Sequence, residues 1–310
     1  MIQKKRVIAL GFFDGIHLGH SALMCKVLEV SKKSNLIPSV ITFDTHPQNL
    51  ITGTVIPLIN SLEDRTGLIK RMFNIDDIID LHFSAETANM PWDVFIDQLV
   101  EKYGALHLVA GHDFKFGKGG SGNCVLLAEK CKNLNLGFDI IPEVKLDGII
   151  CSSTHIRYLI SSGSIERAND FLGHHHVLTD IVRYGSRLGR KLGVPTINMR
   201  FGADVLVPAF GVYATKVYLD DSNAHIGVTN IGVRPTVDDI GQNITAETHI
   251  LDYNGNLYGQ RVRIEFHRFL RQEMKFNNTA ELKTQIQEDC NTTRELFKED
   301  IGGTVPAFCG

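Results

Sequence analysis

Short apolar runs alternate with helical patterns along the first half of the chain. Five runs rich in β-branched residues predict strands: RVIAL, SVITF, DIIDLHF, HLVAG and FDIIPEV. Two segments between them predict helices whose apolar residues share a face: Leu23, Val27 and Val30 in one, and Val94, Phe95 and Leu99 in the other. Strands that alternate with helices form parallel sheets through crossover connections. The pattern therefore predicts an α/β domain with a doubly wound parallel sheet.

Two short helices are predicted next, over residues 152–163 and 164–173. Each begins with Ser or Thr as a cap, and the second ends at Gly173. The three histidines at 174–176 predict an exposed linker rather than a metal site, because adjacent residues cannot easily all face one ion. We therefore predict a first domain of residues 1–173 and a second domain of residues 174–310.

Between residues 177 and 270 the pattern becomes that of an antiparallel sheet. Four segments predict strands: GVYATKVYL, HIGVTNIGV, ITAETHILDY and LYGQRVRIEFHRF. In the last, Val262, Ile264 and Phe266 alternate with polar residues, which is the period of a half-buried strand. Asn254 and Gly255 predict a type I′ hairpin turn just upstream. We expect a small, closed or nearly closed antiparallel β-barrel.

A C-terminal helix is predicted over NNTAELKTQIQEDCNTTRELF. A capping box from Asn278 to Glu281 begins it, and Leu282, Ile286 and Phe297 lie roughly on one side. We expect that side to pack on the barrel.

Composition limits the possible partners. The 310 residues carry 32 basic and 35 acidic side chains, a formal net charge of -3. This balance provides no broad basic field of the kind that nucleic-acid binders use. We therefore expect small anionic substrates, no nucleic acid, and a monomer or weak homo-oligomer.

Two further features indicate a cytoplasmic protein. The six cysteines lie far apart without a CxxC pair, so we expect reduced thiols and neither a zinc site nor a disulfide framework. The apolar run VIAL near the N-terminus is too short for a secretion signal. No segment approaches the roughly 18 apolar residues of a membrane span.

The first chemical motif is GFFDGIHLGH, residues 11–20, where the first strand ends and the first helix begins. Ligands bind at this end of an open parallel sheet. Gly11 and Gly15 let the backbone approach a phosphate, and the helix start offers free N–H groups. His17 and His20 can stabilise charge on one bound polyphosphate. On the residues alone, a tight strand-to-helix turn without function is the favoured interpretation.

The second motif is RYGSRLGRKLGVPTIN, residues 183–198. It lacks the GxxxxGK[ST] pattern of a P-loop, so kinase chemistry here requires another scaffold. Its glycines and four basic side chains, with the rigid Pro195, could cradle phosphates. On the residues alone, a glycine-rich turn with a basic, solvated rim is the favoured interpretation.

The motifs resemble those of bacterial bifunctional riboflavin kinase/FMN adenylyltransferases, also called prokaryotic FAD synthetases. GFFDGIHLGH, ITFDTHPQ, AGHDFKFGKGGSGN and CSSTHIR resemble the segments of the adenylyltransferase half, in the family's order. GRKLGVPTIN, AETHILDYNGNLYG and FLRQEMKF resemble the flavokinase half. The resemblance implies that ATP and Mg²⁺ are used to make FMN from riboflavin in the second domain and FAD from FMN in the first.

The resemblance also implies roles for individual residues of the first domain. The catalytic residues would be His17, His20 and Arg157. Contacts to ATP would come from Gly11, Phe13, Asp14, Gly15, Ser153 and Thr154. Contacts to FMN would come from His46, Pro47 and Asp113. On its own chemistry, Asp113 is also consistent with an Asx turn beside glycines.

In the second domain, the resemblance makes Glu247 the general base for the riboflavin hydroxyl. Contacts to ATP would come from Gly185, Arg187, Gly189, Lys191 and Pro195. Thr196 and Asn198 would hold the metal, and Arg271 would contact the flavin. A surface role on a strand remains the alternative for Glu247.

The sequence departs from the family pattern at two places. Thr45 stands where the family has proline, and Arg183, Tyr184 and Gly185 stand where it usually has a His-Gly pair. Two alternatives to the bifunctional enzyme follow: a protein with a single active domain, or a flavin-responsive binding module without catalysis.

Overall fold

The computed structural model describes residues 4–46, 49, 53, 55–185, 189, 193–220, 223–234, 243–299 and 309. The chain divides into two compact units. The first runs to Ser153 and includes Cys309, and the second begins at Thr154. The predicted boundary at 173/174 lies twenty residues further along the chain and stays a prediction.

The first unit contains a five-stranded parallel sheet in the order β3-β2-β1-β4-β5. Its strands are β1 (Arg6–Leu10), β2 (Ile37–Phe43), β3 (Asp77–Leu81), β4 (Ala105–Gly111) and β5 (Gly137–Ile141). Its helices are α1 (Leu18–Ser34), α2 (Leu62–Phe73), α3 (Ala85–Ala88), α4 (Trp92–Glu101) and α5 (Cys124–Asn133). Two short strands, β6 (Lys145–Leu146) and β7 (Ile149–Ile150), form an antiparallel pair after the sheet.

Both faces of this sheet are covered, as the doubly wound prediction requires. Ile8 and Leu10 of β1 pack in one core cluster with Leu99 of α4 and Leu127 of α5. Val7 and the other residues that alternate with these two point to the opposite face and are also fully buried. The α/β prediction is confirmed.

The predicted apolar face of α4 is partly wrong. Phe95 and Leu99 are buried, but Val94 is 40% exposed and Ile96 is buried in its place. A helix advances 100° per residue, so Phe95, Ile96 and Leu99 form one stripe that leaves Val94 at its edge.

The second unit contains a curled six-stranded antiparallel sheet in the order β8-β13-β10-β11-β12-β9. Its strands are β8 (His176–Ile181), β9 (Thr196–Arg200), β10 (Gly211–Tyr218), β11 (Ala224–Arg234), β12 (Asn243–Ile250) and β13 (Arg261–Arg271). Its helices are α6 (Ser153–Ser161), α7 (Ile165–Leu172) and α8 (Thr279–Glu299). Arg183, just beyond β8, bridges to Asn198 of β9. The two outer strands therefore meet, as expected for a nearly closed barrel.

Two local predictions in this unit are confirmed. Val262, Ile264 and Phe266 are buried on the inner face of β13. At the start of α8, Asn278 Oδ1 accepts a hydrogen bond from the Glu281 N–H at 2.9 Å, and Glu281 Oε2 accepts one from the Asn277 N–H at 3.0 Å. The capping box therefore forms, but Glu281 bonds to the N–H of Asn277 and not to that of Asn278.

The predicted hairpin turn at Asn254 and Gly255 is wrong. The strands on either side, β12 and β13, are separated in the sheet by β10 and β11. Positive φ angles occur at Asp252 and Gly259 instead. A type I′ turn joins only strands that pair with each other, so this connection has no use for one.

The prediction of an exposed linker at the three histidines is also wrong. His176 begins β8 and is fully buried, and the ring of His175 lies 3.5 Å from that of His267. Asn169 of α7 accepts the His176 N–H at 2.8 Å and donates to the Phe266 carbonyl at 2.8 Å. These two bonds attach α7 to the sheet and account for its place in the second unit.

The expectation of reduced thiols holds for four cysteines and is wrong for two. Cys25 on α1 and Cys309 form a disulfide across 284 residues of sequence, and both belong to the first unit. Cys124, Cys131, Cys151 and Cys290 are free. Sequence spacing detects only local cysteine frameworks, so it provided no sign of this pair.

We expect the disulfide to be detectable by alkylation. Iodoacetamide applied to protein that has been oxidised and then denatured should add four groups, because four of the six cysteines are free. After reduction it should add six. Intact mass spectrometry checks both counts, with a Cys25→Ser variant as control, and six groups before reduction would contradict the bond.

We expect His176 to make the fold sensitive to acid. Burial lowers its pKa to about 3, whereas the ordinary value is 6.5, and neither ring nitrogen has a hydrogen-bond partner among the described residues. As the pH falls from 6.5 towards 3, the unfolded chain binds a proton that the folded chain excludes. Stability should therefore fall by up to about 1.4 kcal/mol per pH unit from this group.

The contribution of His176 can be isolated with His176→Met, which fills similar space without a titrating group. Urea unfolding followed by circular dichroism between pH 6.5 and 4.5 should show a shallower decline for this variant. His112→Met, at an exposed histidine, should retain the decline of the original protein. An equal slope in all three proteins would contradict the assignment.

Candidate active sites

The loop from Gly11 to His17 follows the central strand β1 and leads into α1. Phe13, Gly15 and Ile16 all have positive φ, at 56°, 87° and 44°. Such angles are uncommon for Phe and a clear outlier for the β-branched Ile. Backbone strain of this kind is concentrated at functional sites, where the surrounding structure maintains it.

His17 caps α1, and its orientation determines where its proton lies. Its Nδ1 accepts a long hydrogen bond, 3.4 Å, from the His20 N–H. A neutral imidazole that accepts at Nδ1 carries its hydrogen at Nε2. His17 can therefore donate from Nε2 to an anionic ligand.

His20 stacks on His17 with 3.6 Å between ring centroids. Burial, followed by the charges of His17 and Arg65, lowers the pKa of His20 well below its usual value. Its Nδ1 is buried without a hydrogen-bond partner in the described part of the chain. His20 is therefore neutral at physiological pH and retains hydrogen-bonding capacity for a ligand.

Three residues that the motif singled out build the loop itself. Phe13 is buried beneath Gly11, where a Cβ would lie 2.9 Å from its ring. Asp14 is buried, and its Oδ1 accepts the N–H groups of Ile59 and Asn60 at 2.9 and 3.3 Å. Direct contact of Phe13 with ATP would therefore have to use its backbone.

His46 and Asp113 lie beyond the ends of β2 and β4, the two neighbours of β1. The carboxyl ends of parallel strands meet at one edge of a sheet, so the two residues flank the His17 loop. The His46 ring contacts the Phe12 ring edge-on at 4.8 Å. Pro47 lies outside the described residues.

The turn at Asp113 is held by the main chain. The Phe114 N–H donates to the Gly111 carbonyl at 3.1 Å, so the Asp113 carboxylate is not what closes the turn. The contact of Asp113 with FMN stays a prediction.

The structure adds Arg65, which the sequence interpretation missed. This side chain of α2 is fully buried beneath the loop and donates to the carbonyls of Phe12 at 2.7 Å and Phe43 at 2.9 Å. Its guanidinium also lies 4.4 Å from the centroid of the Phe12 ring. A signal was available, because Arg65 shares the apolar face of α2 with Leu68 and Ile69.

Ser153, Thr154 and Arg157 lie at the start of α6. Ser153 belongs to the first unit and donates from Oγ to the Asp14 carbonyl at 2.9 Å. Thr154 is exposed, Arg157 is half-buried, and both belong to the second unit.

The second site is defined by strand register. Asn198 of β9 is paired with Glu247 of β12, which is paired in turn with Asn230 of β11. Thr196 lies two residues before Asn198 and therefore shares its face. The predicted base and both predicted metal ligands are thus neighbours on one surface.

Asn198 provides the test of whether magnesium fits. The residue is buried, and its Oδ1 has no hydrogen-bond partner among the residues the structure describes. A buried carbonyl oxygen beside the Thr196 hydroxyl and the Glu247 carboxylate is the hard-oxygen environment that Mg²⁺ prefers. The donor set fits the ion.

Gly185 and Gly189 are required by close approaches of the backbone. A Cβ at Gly185 would lie 2.5 Å from Asn198 Nδ2, and one at Gly189 would lie 2.4 Å from the Val194 carbonyl oxygen. The Arg183 N–H also donates to the Asn198 carbonyl at 2.8 Å. Arg187 and Lys191 lie outside the described residues.

A cavity of about 250 Å³ has Thr196 in its wall, but neither Asn198 nor Glu247. Its walls include Pro195, Thr196, Thr248, Tyr253, Leu257 and Tyr258. The Tyr258 ring stacks on the Tyr184 ring at 4.1 Å. Aromatic and polar walls of this kind suit a small-molecule ligand.

Arg271, the predicted flavin contact, forms a bidentate ion pair with Asp289 of α8 at 2.9 and 2.8 Å. Its Nη1 donates to the Gln272 carbonyl at 3.0 Å. The side chain is thereby held in one orientation, and its role towards the flavin stays a prediction.

Comparisons with known proteins cover both units. A family model described as FAD synthetase matches residues 1–155, and one described as riboflavin kinase matches residues 172–297. Among the described residues, no helix combines the length and apolar character needed to cross a membrane.

A solved structure from Streptococcus pneumoniae, titled a macrolide-efflux protein, has a TM-score of 0.80 and 28% identity over 94% of each chain. The activity in that protein's name differs from those of the family models, and the likeness shows the fold alone. Curated bifunctional riboflavin kinase/FMN adenylyltransferases are similar throughout. That of Listeria monocytogenes is 32% identical over 94% of this chain and 92% of its own, and that of Escherichia coli K12 is 33% identical over 98% and 96%. The chain belongs to the family of bifunctional riboflavin kinase/FMN adenylyltransferases.

Proposed function

We propose that this protein makes FAD from riboflavin in two ATP-dependent steps, with one site for each step. The observation that carries the proposal is the presence of two separate constellations: the His17–His20 pair after β1 and the Glu247–Asn198 pair across β12 and β9. The histidine pair can donate hydrogen bonds to phosphate oxygens, which suits adenylyl transfer. The second pair combines a carboxylate base with an oxygen ligand for a metal, which suits phosphoryl transfer.

In the kinase step, the 5′-hydroxyl oxygen of riboflavin attacks the γ-phosphorus of ATP. A new P–O bond forms to the flavin, the bond from the γ-phosphorus to the bridging oxygen breaks, and ADP leaves. Glu247 accepts the hydroxyl proton as general base. Mg²⁺ held by Thr196 and Asn198 would supply neutralisation of phosphate charge. Gly185, Gly189, Arg187, Lys191 and Pro195 would surround the nucleotide, and Arg271 would contact the flavin.

In the adenylylation step, a phosphate oxygen of FMN attacks the α-phosphorus of ATP. The bond from the α-phosphorus to the bridging oxygen breaks, and pyrophosphate leaves. The role of His17 and His20 is to donate hydrogen bonds to oxygens on which charge develops. No covalent bond to the enzyme is required.

The remaining predicted contacts divide into two groups. The loop residues Gly11, Phe13, Asp14 and Gly15, with Ser153, Thr154 and Arg157, would hold the ATP phosphates, and a guanidinium suits this by bidentate binding. His46, Pro47 and Asp113 would hold FMN.

Neither departure from the family pattern removes a group that the chemistry requires. The exposed Thr45 donates to Asp44 Oδ1 at 2.8 Å, a bond that restrains the residue without the usual proline. Arg183 and Tyr184 differ from the usual pair, yet Gly185 still lies against Asn198. The chemistry therefore favours two active sites over one.

We also propose a cytoplasmic enzyme that acts on small molecules as a monomer or weak homo-oligomer. Disulfides are rare in the reducing cytoplasm. We therefore expect the Cys25–Cys309 bond to be open for much of the protein's life in the cell and closed after oxidation.

The two-site assignment is tested by a chromatographic time course with riboflavin, ATP and Mg²⁺. His20→Asn should lower FAD formation by about 10²- to 10³-fold through loss of a charge-stabilising donor and leave FMN formation unchanged. Glu247→Gln should lower FMN formation by about 10²- to 10⁴-fold and leave FAD formation from added FMN unchanged.

The original protein should form FMN before FAD, and formation of both products should stop when Mg²⁺ is chelated. If each variant suppressed both reactions equally in folded protein, the assignment of separate sites would be wrong. Flavin binding without ATP consumption would instead favour the binding-module alternative.

Gly185→Ala should impair the kinase step alone. The added methyl would displace the Asn198 side chain, which a Cβ would approach to 2.5 Å. We expect at least a tenfold loss of FMN formation with an increased requirement for Mg²⁺. Gly67→Ala is a control, because that helical glycine would bring its methyl near only the flexible end of the Arg71 side chain. Normal Mg²⁺ dependence of Gly185→Ala would contradict the expected displacement of Asn198.

A further inference from the structure

Arg65 is an unusual component of the first unit. Its side chain is fully buried, and it belongs to the first turn of α2, after the Ser61 cap. Burying a guanidinium is costly unless its donors are satisfied. Two of the Arg65 N–H groups donate to main-chain carbonyls. The buried guanidinium therefore holds the backbone at those two carbonyls in place.

The two carbonyls belong to the two segments that carry the predicted substrate contacts. Phe12 lies in the loop between β1 and His17, and Phe43 is the last residue of β2, three positions before His46. Thr42 Oγ1 also donates to the Phe12 carbonyl, at 2.9 Å. The guanidinium fork therefore joins the ends of two neighbouring strands where their inter-strand ladder stops.

Ring contacts link Arg65 to His46, one of the predicted FMN contacts. The Arg65 guanidinium lies 4.4 Å from the Phe12 ring centroid, and the Phe12 ring contacts His46 at 4.8 Å. Arg65 also acts on His20, which is predicted to face ATP, because the Arg65 charge helps to lower the pKa of His20. One side chain thus acts on both groups of predicted contacts.

Resting on the proposed adenylylation function, we propose that Arg65 is a positioning residue for adenylyl transfer. It holds the Phe12 loop and the end of β2 in a fixed arrangement. The histidines that face ATP and the residues that face FMN are thereby kept in the relative positions that the reaction needs. Lysine cannot replace it, because one ammonium group lacks the planar fork that reaches two carbonyls.

Arg65→Lys and Arg65→Met test this role in the full-length enzyme, with FMN and ATP supplied. Both should lower kcat for FAD formation by about 10- to 100-fold, since small misplacements of reacting groups have effects of this size. The KM for FMN should rise, and FMN formation from riboflavin in the same sample should be unchanged. Arg71→Lys, at an exposed arginine of the same helix, should leave both reactions unchanged.

A pH profile separates positioning from simple loss of fold. Arg65→Met removes a positive charge beside His20, so the His20 pKa should rise. Neutral His20 is then lost at a higher pH, and the acid limb of the FAD-formation profile should move towards neutrality. Arg65→Lys retains the charge and should move it less. His17, which also lowers the His20 pKa, is unchanged in both variants.

Fluorescence of Trp92, the single tryptophan, reports whether the first unit is folded. Folded Arg65→Lys with normal kcat and KM would overturn the proposal. A loss that matches the unfolded fraction, with KM and pH profile unchanged, would also overturn it. If Arg65→Met does not fold, Arg65→Lys decides alone. Absence of FAD formation by the original protein would instead refute the proposed function.

Discussion

The hydrogen-bonded register of parallel strands β2, β1 and β4 is the constraint on which the first site depends. Three segments far apart in sequence end at the same edge because their strands are paired, and each segment carries a predicted substrate contact. Beyond the last paired residues, the ladder no longer holds the backbone. There, hydrogen bonds from side chains to the main chain hold the backbone instead. Asp14 accepts the N–H groups of residues 59 and 60, and Arg65 donates to the carbonyls of Phe12 and Phe43.

The second site uses the same principle with antiparallel strands. Asn198 and Glu247 are neighbours because β9 and β12 pair at these residues, so a one-residue slip would turn one of them to the opposite face. The inner face is fixed by buried threonines: Thr229 lies 2.9 Å from both Thr215 and Thr248. A polar ladder inside the barrel thus helps to hold the register that the outer face needs.

The sequence predicted those features that depend on neighbours along the chain. The limits of β1, the buried face of α1 and the alternation in β13 all follow from local periodicity, and the capping box follows from spacing. The motifs also indicated both sites, because their residues cluster in short strings. Only the register of distant strands, which no local pattern contains, determines that Glu247 meets Asn198.

Three features that the sequence interpretation misjudged or missed share a single physical cause. His176 is buried because β8 pairs with β13, and Asn254–Gly255 makes no hairpin because its flanking strands have other partners. The burial of Arg65 likewise depends on carbonyls 22 and 53 residues away. Each of these outcomes is set by long-range contacts, which override local preference.

The Cys25–Cys309 disulfide has a practical consequence for handling the protein. Cys25 follows His20 by five residues on α1, about 8 Å along the helix axis. When the bond is closed, Cys309 is therefore held near the turn of this helix that carries His20. A tag attached after Cys309 would then begin close to the proposed adenylylation site, so purification is better designed around a removable tag at the N-terminus.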